Sequence, residues 1–322
     1  MNNILTKGGR MSVVFACVLL LVASATAQIS LRKALDTDGD GKADFSVFRP
    51  ENNVWYIKRS GGGSTFQQFG SSNTDYQTPG DYDGDGKGDI AVWRDTDGVW
   101  YRLNSSNNAF VATQFGVAGD EPIARDYDGD GKTDLAVIRR ANSVMTWYVL
   151  RSQTGGLLAS QFGTSTDYSA PGDYDGDGKF DFAVQRPGST PTSQGTFYIL
   201  QSTNNALSVI PWGFSNDLVV PGDYDGDGKT DVAVVREGSN NDAPINWYIR
   251  QSSNGALKSA VFGVTGSDMT VQNDYDGDGK TDLAVWRDST GVFYVLKSTD
   301  NVLLTVQWGL ANDFPVAAYD TH

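Results

Sequence analysis

Histidine and cysteine are almost missing from this chain. Among 322 residues there is one of each, Cys17 and His322. A lone cysteine closes no intrachain disulfide, so packing and bound ligands must hold the fold. Nucleophilic attack and proton exchange near neutral pH lack the side chains that most often perform them. Glutamate is scarce too, confined to Glu51, Glu121 and Glu237, each near a turn. A hydrolytic carboxylate pair could be drawn from these and the scattered aspartates, but no motif marks one. The chain therefore reads as a non-enzyme, with a secreted polysaccharide hydrolase or lyase using Asp or Glu as an alternative. The apolar run at residues 13–22 falls short of the ~20 residues that a spanning helix needs. Lys7 and Arg10 precede it and Ala25-Thr26-Ala27 follows it, which is the pattern of a signal peptide over residues 1–27. That predicts a mature domain, residues 28–322, secreted or periplasmic and not inserted in a membrane. Positive charge is also in short supply, with 25 basic residues against 39 acidic ones and a net charge of −14. Phosphate binding needs clustered Lys and Arg, so nucleic acid is excluded as a partner.

Aspartate is what the chain has in excess, and it is concentrated. Six copies of Asp-x-Asp-x-Asp-Gly-x-x-Asp recur at intervals of 45 to 51 residues. Their carboxylates are Asp36, Asp38, Asp40 and Asp44; Asp81, Asp83, Asp85 and Asp89; Asp126, Asp128, Asp130 and Asp134. The remaining three sets are Asp173, Asp175, Asp177 and Asp181; Asp223, Asp225, Asp227 and Asp231; Asp274, Asp276, Asp278 and Asp282. Oxygen donors at positions 1, 3, 5 and 9, with the backbone carbonyl at position 7, suit a hard cation of calcium's size, giving up to six Ca2+ per chain. Magnesium demands a tighter octahedron that retains water. An EF-hand would carry glutamate at position 12, where this chain has Val47, Val92, Val137, Val184, Val234 and Val285. Each loop therefore runs into a strand, not a helix. Four carboxylates gathered without an ion repel one another, so the metal is expected to be structural.

Aligning the copies reveals one repeated unit. After the loop comes a short apolar run ending in arginine, such as Asp89-Ile90-Ala91-Val92-Trp93-Arg94, then an aromatic pair such as Trp100-Tyr101. A later segment ends in an aromatic and glycine, Phe69-Gly70 in one copy and Trp212-Gly213 in another. Runs of this length and composition, punctuated by Gly, Asn and Ser, read as strands. Four strands in about 45 residues make one blade of a β-propeller. The expected fold is all-β: a single propeller of six four-stranded blades, with seven as the alternative. The partial copy Asp313-Phe314-Pro315-Val316-Ala317-Ala318 would close the ring, and residues 29–35 could compete for that slot. The turn after the arginine has five residues in copies one, two and six, seven in copy three and ten in copies four and five. It lies on the face opposite the aspartate loops. One face holds metal and the other varies.

The run Pro79-Gly80-Asp81-Tyr82-Asp83-Gly84-Asp85-Gly86-Lys87, followed by Ile90-Ala91-Val92-Trp93-Arg94 and a closing Phe-Gly, resembles the FG-GAP / VCBS-type repeat. The likeness extends over roughly residues 30–320. It implies a propeller like the integrin α-subunit head, with calcium between the first two strands of each blade. Copy one departs in having Thr37 for tyrosine, and copy six has Gln272-Asn273 in place of Pro-Gly. The family includes adhesion proteins, lectin-like modules and domains appended to secreted enzymes, so fold leaves function open.

Two further residues recur. Arg49, Arg94, Arg139, Arg186, Arg236 and Arg287 end the second strand, and Asp75, Asp120, Asp167, Asp217, Asp268 and Asp313 stand in the turn between units. They are expected to pair across neighbouring blades; the alternative is a polar ring that captures ligands. The Trp and Tyr of the third strand are expected in the core. The reading that unites these points is a calcium-binding module for carbohydrate or protein at a cell surface or in a matrix, with specificity in turns 187–196 and 237–246. The other reading is a structural or assembly protein without a ligand pocket.

Overall fold

The computed structural model describes residues 34–317. Six four-stranded antiparallel sheets follow one another along the chain, and each is one blade. The second blade is representative: strands Asp75–Gln77, Ile90–Arg94, Val99–Leu103 and Phe110–Gln114 pair in order from first to fourth. The first blade takes its first strand from the other end of the chain. Phe314–Pro315 pairs with Phe45–Arg49, setting Val47 opposite Pro315 and Phe48 opposite Phe314. Six blades are therefore closed by the C-terminal strand, and no sheet edge is left between the two ends. Of the competing segment 29–35, Ala34 and Leu35 form a helical turn and take no strand position; 29–33 lie outside the described residues, as does the signal-peptide segment 1–27. No helix among the described residues is long and apolar enough to cross a membrane.

The strand sequences follow from position in the blade. Second strands are packed on both faces, so Ile90, Ala91, Val92 and Trp93 are all buried and the run is continuously apolar. Fourth strands have one face in solvent and alternate exposed with half-buried residues, as in Phe110–Gln114. The third-strand aromatics Trp55, Trp100, Trp147, Phe197, Trp247 and Phe293 are buried in the core, as expected, whereas the tyrosines that follow them, such as Tyr101 and Tyr148, are only half-buried.

The repeated aromatic-glycine step has a physical reason. Trp100 Nε1 donates to the carbonyl of Phe115 at 2.8 Å, and Trp147 donates likewise to Phe162 at 2.9 Å. The glycine then turns the chain toward the next blade. Gly70 has φ +89°, and a Cβ there would stand 3.0 Å from Val92 of the following second strand. Neither the dihedral nor the space admits a side chain.

The longer turns are partly absorbed into sheet. In blades three, four and five the third strand is seven residues long and the fourth is eight, with Val144, Gln194 and Pro244 pairing past a bulge. The rest of each ten-residue turn folds back on the crossover to the next blade: Ser215 N donates to Ser193 O, and Thr265 N to Ala243 O.

Candidate metal centres

Each aspartate loop leads into the second strand of a blade and, in blades two to six, joins it to the first. Glycines at positions 4 and 6 carry φ near +80° to +88°, as at Gly84 (+82°) and Gly86 (+87°), which curls the backbone inward. The position-1 carboxylate sits inside this curl. Asp81 accepts from Gly84 N at 2.7 Å and Gly86 N at 3.0 Å, and the other loops repeat the pattern. Position 9 reaches back across the loop mouth: Asp89 accepts from Tyr82 N at 2.8 Å. In loops one and two the carboxylates at positions 1, 3 and 5 offer oxygens within 4.8 Å of one another. In loops three, four and five the converging set is positions 1, 3 and 9. The fourth aspartate of each of these five loops lies outside its tight triple but belongs to the same hydrogen-bonded knot.

A second element completes every loop. The hairpin between the third and fourth strands folds over the carboxylates and donates to three of them. Ser105 N donates to Asp89 at 2.7 Å, Ser105 Oγ to Asp85 at 2.9 Å and Ser106 Oγ to Asp83 at 2.6 Å. Ser202 with Thr203 and Ser298 with Thr299 do the same in blades four and six. Sequence reasoning passed over these hydroxyl pairs. The signal was available: Ser105 follows Asp89 as Ser60 follows Asp44 and Ser298 follows Asp282, and the spacing grows only where the intervening turn grows.

The loops also join one another in a circle. The N–H at position 8 donates to the carbonyl of the preceding loop's first aspartate: Gly88 to Asp36, Thr133 to Asp81, Phe180 to Asp126, Thr230 to Asp173, Thr281 to Asp223 and Ala43 to Asp274. All six bonds are 2.6–2.8 Å. Alongside each one the position-7 lysine lies over the position-4 glycine of the previous loop, as Lys132 does over Gly84. Lys132 Nζ also donates to the carbonyl of Asp83 at 3.1 Å.

The electrostatics favour a cation. Burial pushes the position-9 carboxyl up, to about 6 in Asp89 and about 7 in Asp134, Asp181, Asp231 and Asp282. Burial likewise raises the first-position carboxyls of Asp126, Asp173 and Asp223 to about 6, and neighbouring aspartates push the same way. Backbone donors oppose this without overcoming it. Oδ1 of Asp38 is buried with no hydrogen-bond partner. A divalent ion would meet an all-oxygen, acidic, pre-curled donor set and neutralise carboxylates that the protein leaves short of positive charge, so these residues fit one.

The opposite face carries the arginine–aspartate pairs, and there the expected pairing needs correction. Each ion pair closes within a blade, not between blades, because the aspartate begins the first strand and the arginine ends the adjoining second strand. Asp75 stands directly opposite Arg94 in the register, with Nε–Oδ1 at 2.7 Å and Nη2–Oδ2 at 2.9 Å. The link to the preceding blade is made by the aspartate alone, which accepts from the crossover backbone, Ser71 N to Asp75 at 2.9 Å. The guanidinium stacks on the third-strand tyrosine, Arg94 lying 4.6 Å from the Tyr101 ring centre. All six pairs repeat this arrangement, and the aspartate side chains are at most 2% exposed. These groups are consumed by structure.

The glutamates stand apart. Glu121, on the first strand of blade three, is paired with Arg140 at 2.9 Å and accepts from Ser169 of blade four at 2.7 Å. Glu237 follows Arg236 in blade five, and Glu51 is on an exposed turn of blade one. Two sizeable clefts open between blades among the described residues. One, of about 240 Å³, lies on the arginine face between blades five and six, with Leu218, Val235, Ile245 and Met269 as apolar wall and Glu237 and Asp288 at its rim. The other, of about 390 Å³, lies on the loop face between blades three and four.

A family model described as an FG-GAP-like repeat matches residues 126–184, and one described as an FG-GAP repeat matches residues 169–200. No curated protein matches the sequence. Among solved structures, TolB from Acinetobacter baumannii superposes with TM-score 0.57 at 15% identity, over 84% of this chain and 64% of that one. A mutant of AofleA from Arthrobotrys oligospora gives TM-score 0.51 at 11% identity, over 90% of each chain. An Agrocybe aegerita lectin, described for its specific recognition of non-reducing terminal N-acetylglucosamine, gives 0.51 at 14% identity, over 84% of this chain and 96% of that one. At such identities the likeness is one of architecture.

Proposed function

Because the chain is an FG-GAP repeat protein built as a closed six-bladed ring, we propose that it is an exported, calcium-stabilised binding module for carbohydrate or protein at a cell surface or in a matrix. The observation that carries this reading is the circle of six pre-curled acidic loops, hydrogen-bonded to one another and rich in buried carboxylates that lack counter-charge. Each ion would be held by four aspartates and the position-7 carbonyl, Asp81, Asp83, Asp85, Asp89 and Lys87 in the second loop. Calcium suits a flexible all-oxygen set of this kind better than magnesium does. Its role is to lock the ring, since the loops bridge neighbouring blades. Export rests on the signal-peptide pattern of residues 1–27.

Binding, not catalysis, is the better reading of the remaining surface. The three glutamates stand in blades one, three and five, and Glu121 is committed to Arg140 and Ser169. The cleft between blades five and six has the apolar wall and sparse polar rim of a ligand site; Glu237 opens the long turn 237–246, and Ile245 stands in the third strand, which absorbs the end of that turn. Screening the calcium-loaded protein against a glycan array and immobilised matrix proteins tests this. Retention of at least one class of ligand is expected. Failure to retain any would leave a structural ring without a recognition role.

A further inference from the structure

The loop face carries a site that the repeat does not explain. Between blades three and four a cleft of about 390 Å³ is floored by Tyr127, Phe180 and Phe182. The corresponding space between blades two and three is filled by Arg102, which lies over Tyr82 and donates to Thr113 at 2.9 Å. Val149, fully buried, occupies the position of Arg102 in blade three.

Two cations stand at its edge without an anionic partner. Arg151 donates only to the carbonyl of Gly156, at 3.4 Å, and neither it nor Lys179 forms an ion pair among the described residues. The stem of Lys179 lies over Gly129, but its ammonium has no counterpart to the bond that Lys132 makes to Asp83. Lys179 shares its lack of an ion pair with the other loop lysines, none of which forms one among the described residues; what sets it apart is that it and Arg151 line one concave surface in a protein with net charge −14. Gln153, Ser160, Gln201 and Asn205 line the same cleft and supply neutral donors and acceptors, while Leu158 and Leu200 supply apolar edges. Asp128 is the one carboxylate at the rim, and it belongs to the third metal loop.

We propose that this cleft binds an acidic sugar residue, its carboxylate held by Arg151 and Lys179 and its hydroxyls by the amide side chains around them. A guanidinium pairs with a carboxylate through two parallel hydrogen bonds, and the apolar edges match the C–H face of a pyranose. A neutral sugar would leave both cations unpaired, so charge is the discriminating feature. This inference rests on the reading of the protein as a carbohydrate-binding module and names one class of its ligands.

The test is titration of the calcium-loaded protein with cellobiouronic acid and with its neutral counterpart cellobiose, followed by calorimetry or chemical-shift perturbation. The acidic disaccharide is expected to bind at least tenfold more tightly. Arg151→Met and Lys179→Met, the latter keeping the stem over Gly129, are each expected to abolish that preference with the melting temperature unchanged. Glu51→Gln, on an exposed turn of blade one, is expected to leave it intact. Equal binding of the two disaccharides, binding of neither, or a preference that survives both methionine variants overturns the inference. If it fails while other glycans are retained on the array, the module reading stands; if the array is blank as well, both fall.

Discussion

Stripping divalent ions should loosen the ring, and the size of the effect can be worked out in two ways. Holding Asp134 ionised above pH 7, when burial raises its carboxyl from 3.8 to about 7, costs about 4 kcal/mol at 1.36 kcal/mol per pH unit. Asp181 is placed alike, so two such carboxylates without an ion amount to about 8 kcal/mol. From the ligand side, an ion present at a hundred times its dissociation constant contributes about 2.7 kcal/mol, so three loaded loops give about 8 kcal/mol. That sum rivals the ~5–15 kcal/mol net stability of an ordinary domain. At roughly 2 °C per kcal/mol for a chain of this size, removing the ions should lower the melting temperature by about 15 °C or more. Scanning calorimetry before chelation, after it, and after calcium is restored measures this. An unchanged melt, or recovery with sodium chloride as complete as with calcium, would refute the reasoning.

Three other perturbations follow from named contacts. The loop carboxyls have folded-state values above their unfolded one, so their contribution to metal-free stability is fully present below about pH 4 and lost as pH rises through 6 to 7; the melting temperature of ion-free protein should climb from pH 8 to pH 5, and a flat profile would count against the buried carboxylates. Gly70→Ala must adopt φ +89° with its Cβ 3.0 Å from Val92, and a loss of about 2 kcal/mol is expected in chemical denaturation. Arg94→Met leaves the fully buried Asp75 without its partner, and a loss of about 3–5 kcal/mol is expected by the same assay, whereas a surface ion pair would give less than about 1 kcal/mol.

The blade was legible because its strands record their surroundings. The continuous apolar second strand, the aromatic third strand and the aromatic-glycine step each follow from one packing constraint repeated six times, and repetition separates such a signal from chance. Ring closure could be read from the stray copy around Asp313 for the same reason. The direction of the Arg94–Asp75 pair could not. Both residues lie near the junction between units, and only the register of the first strand against the second decides whether they meet within a blade. The circle of loop-to-loop bonds was hidden because it uses backbone groups, which leave no mark on residue identity. The hydroxyl pairs such as Ser105 and Ser106 were in view but read as turn residues. Arg125, which stands where copy two has Gly80, was passed over as a departure from the repeat; it lines a narrow cavity of about 60 Å³ between the innermost strands. The clefts are bounded by side chains from two blades, and no single repeat shows them.

The central claim is that the six aspartate loops are calcium sites. Crystals grown with calcium and measured for anomalous scattering test it most directly. Six peaks are predicted, one in each loop, each within about 2.3–2.6 Å of carboxylate oxygens. Loops that hold only water at saturating calcium, with the ring intact, would contradict it.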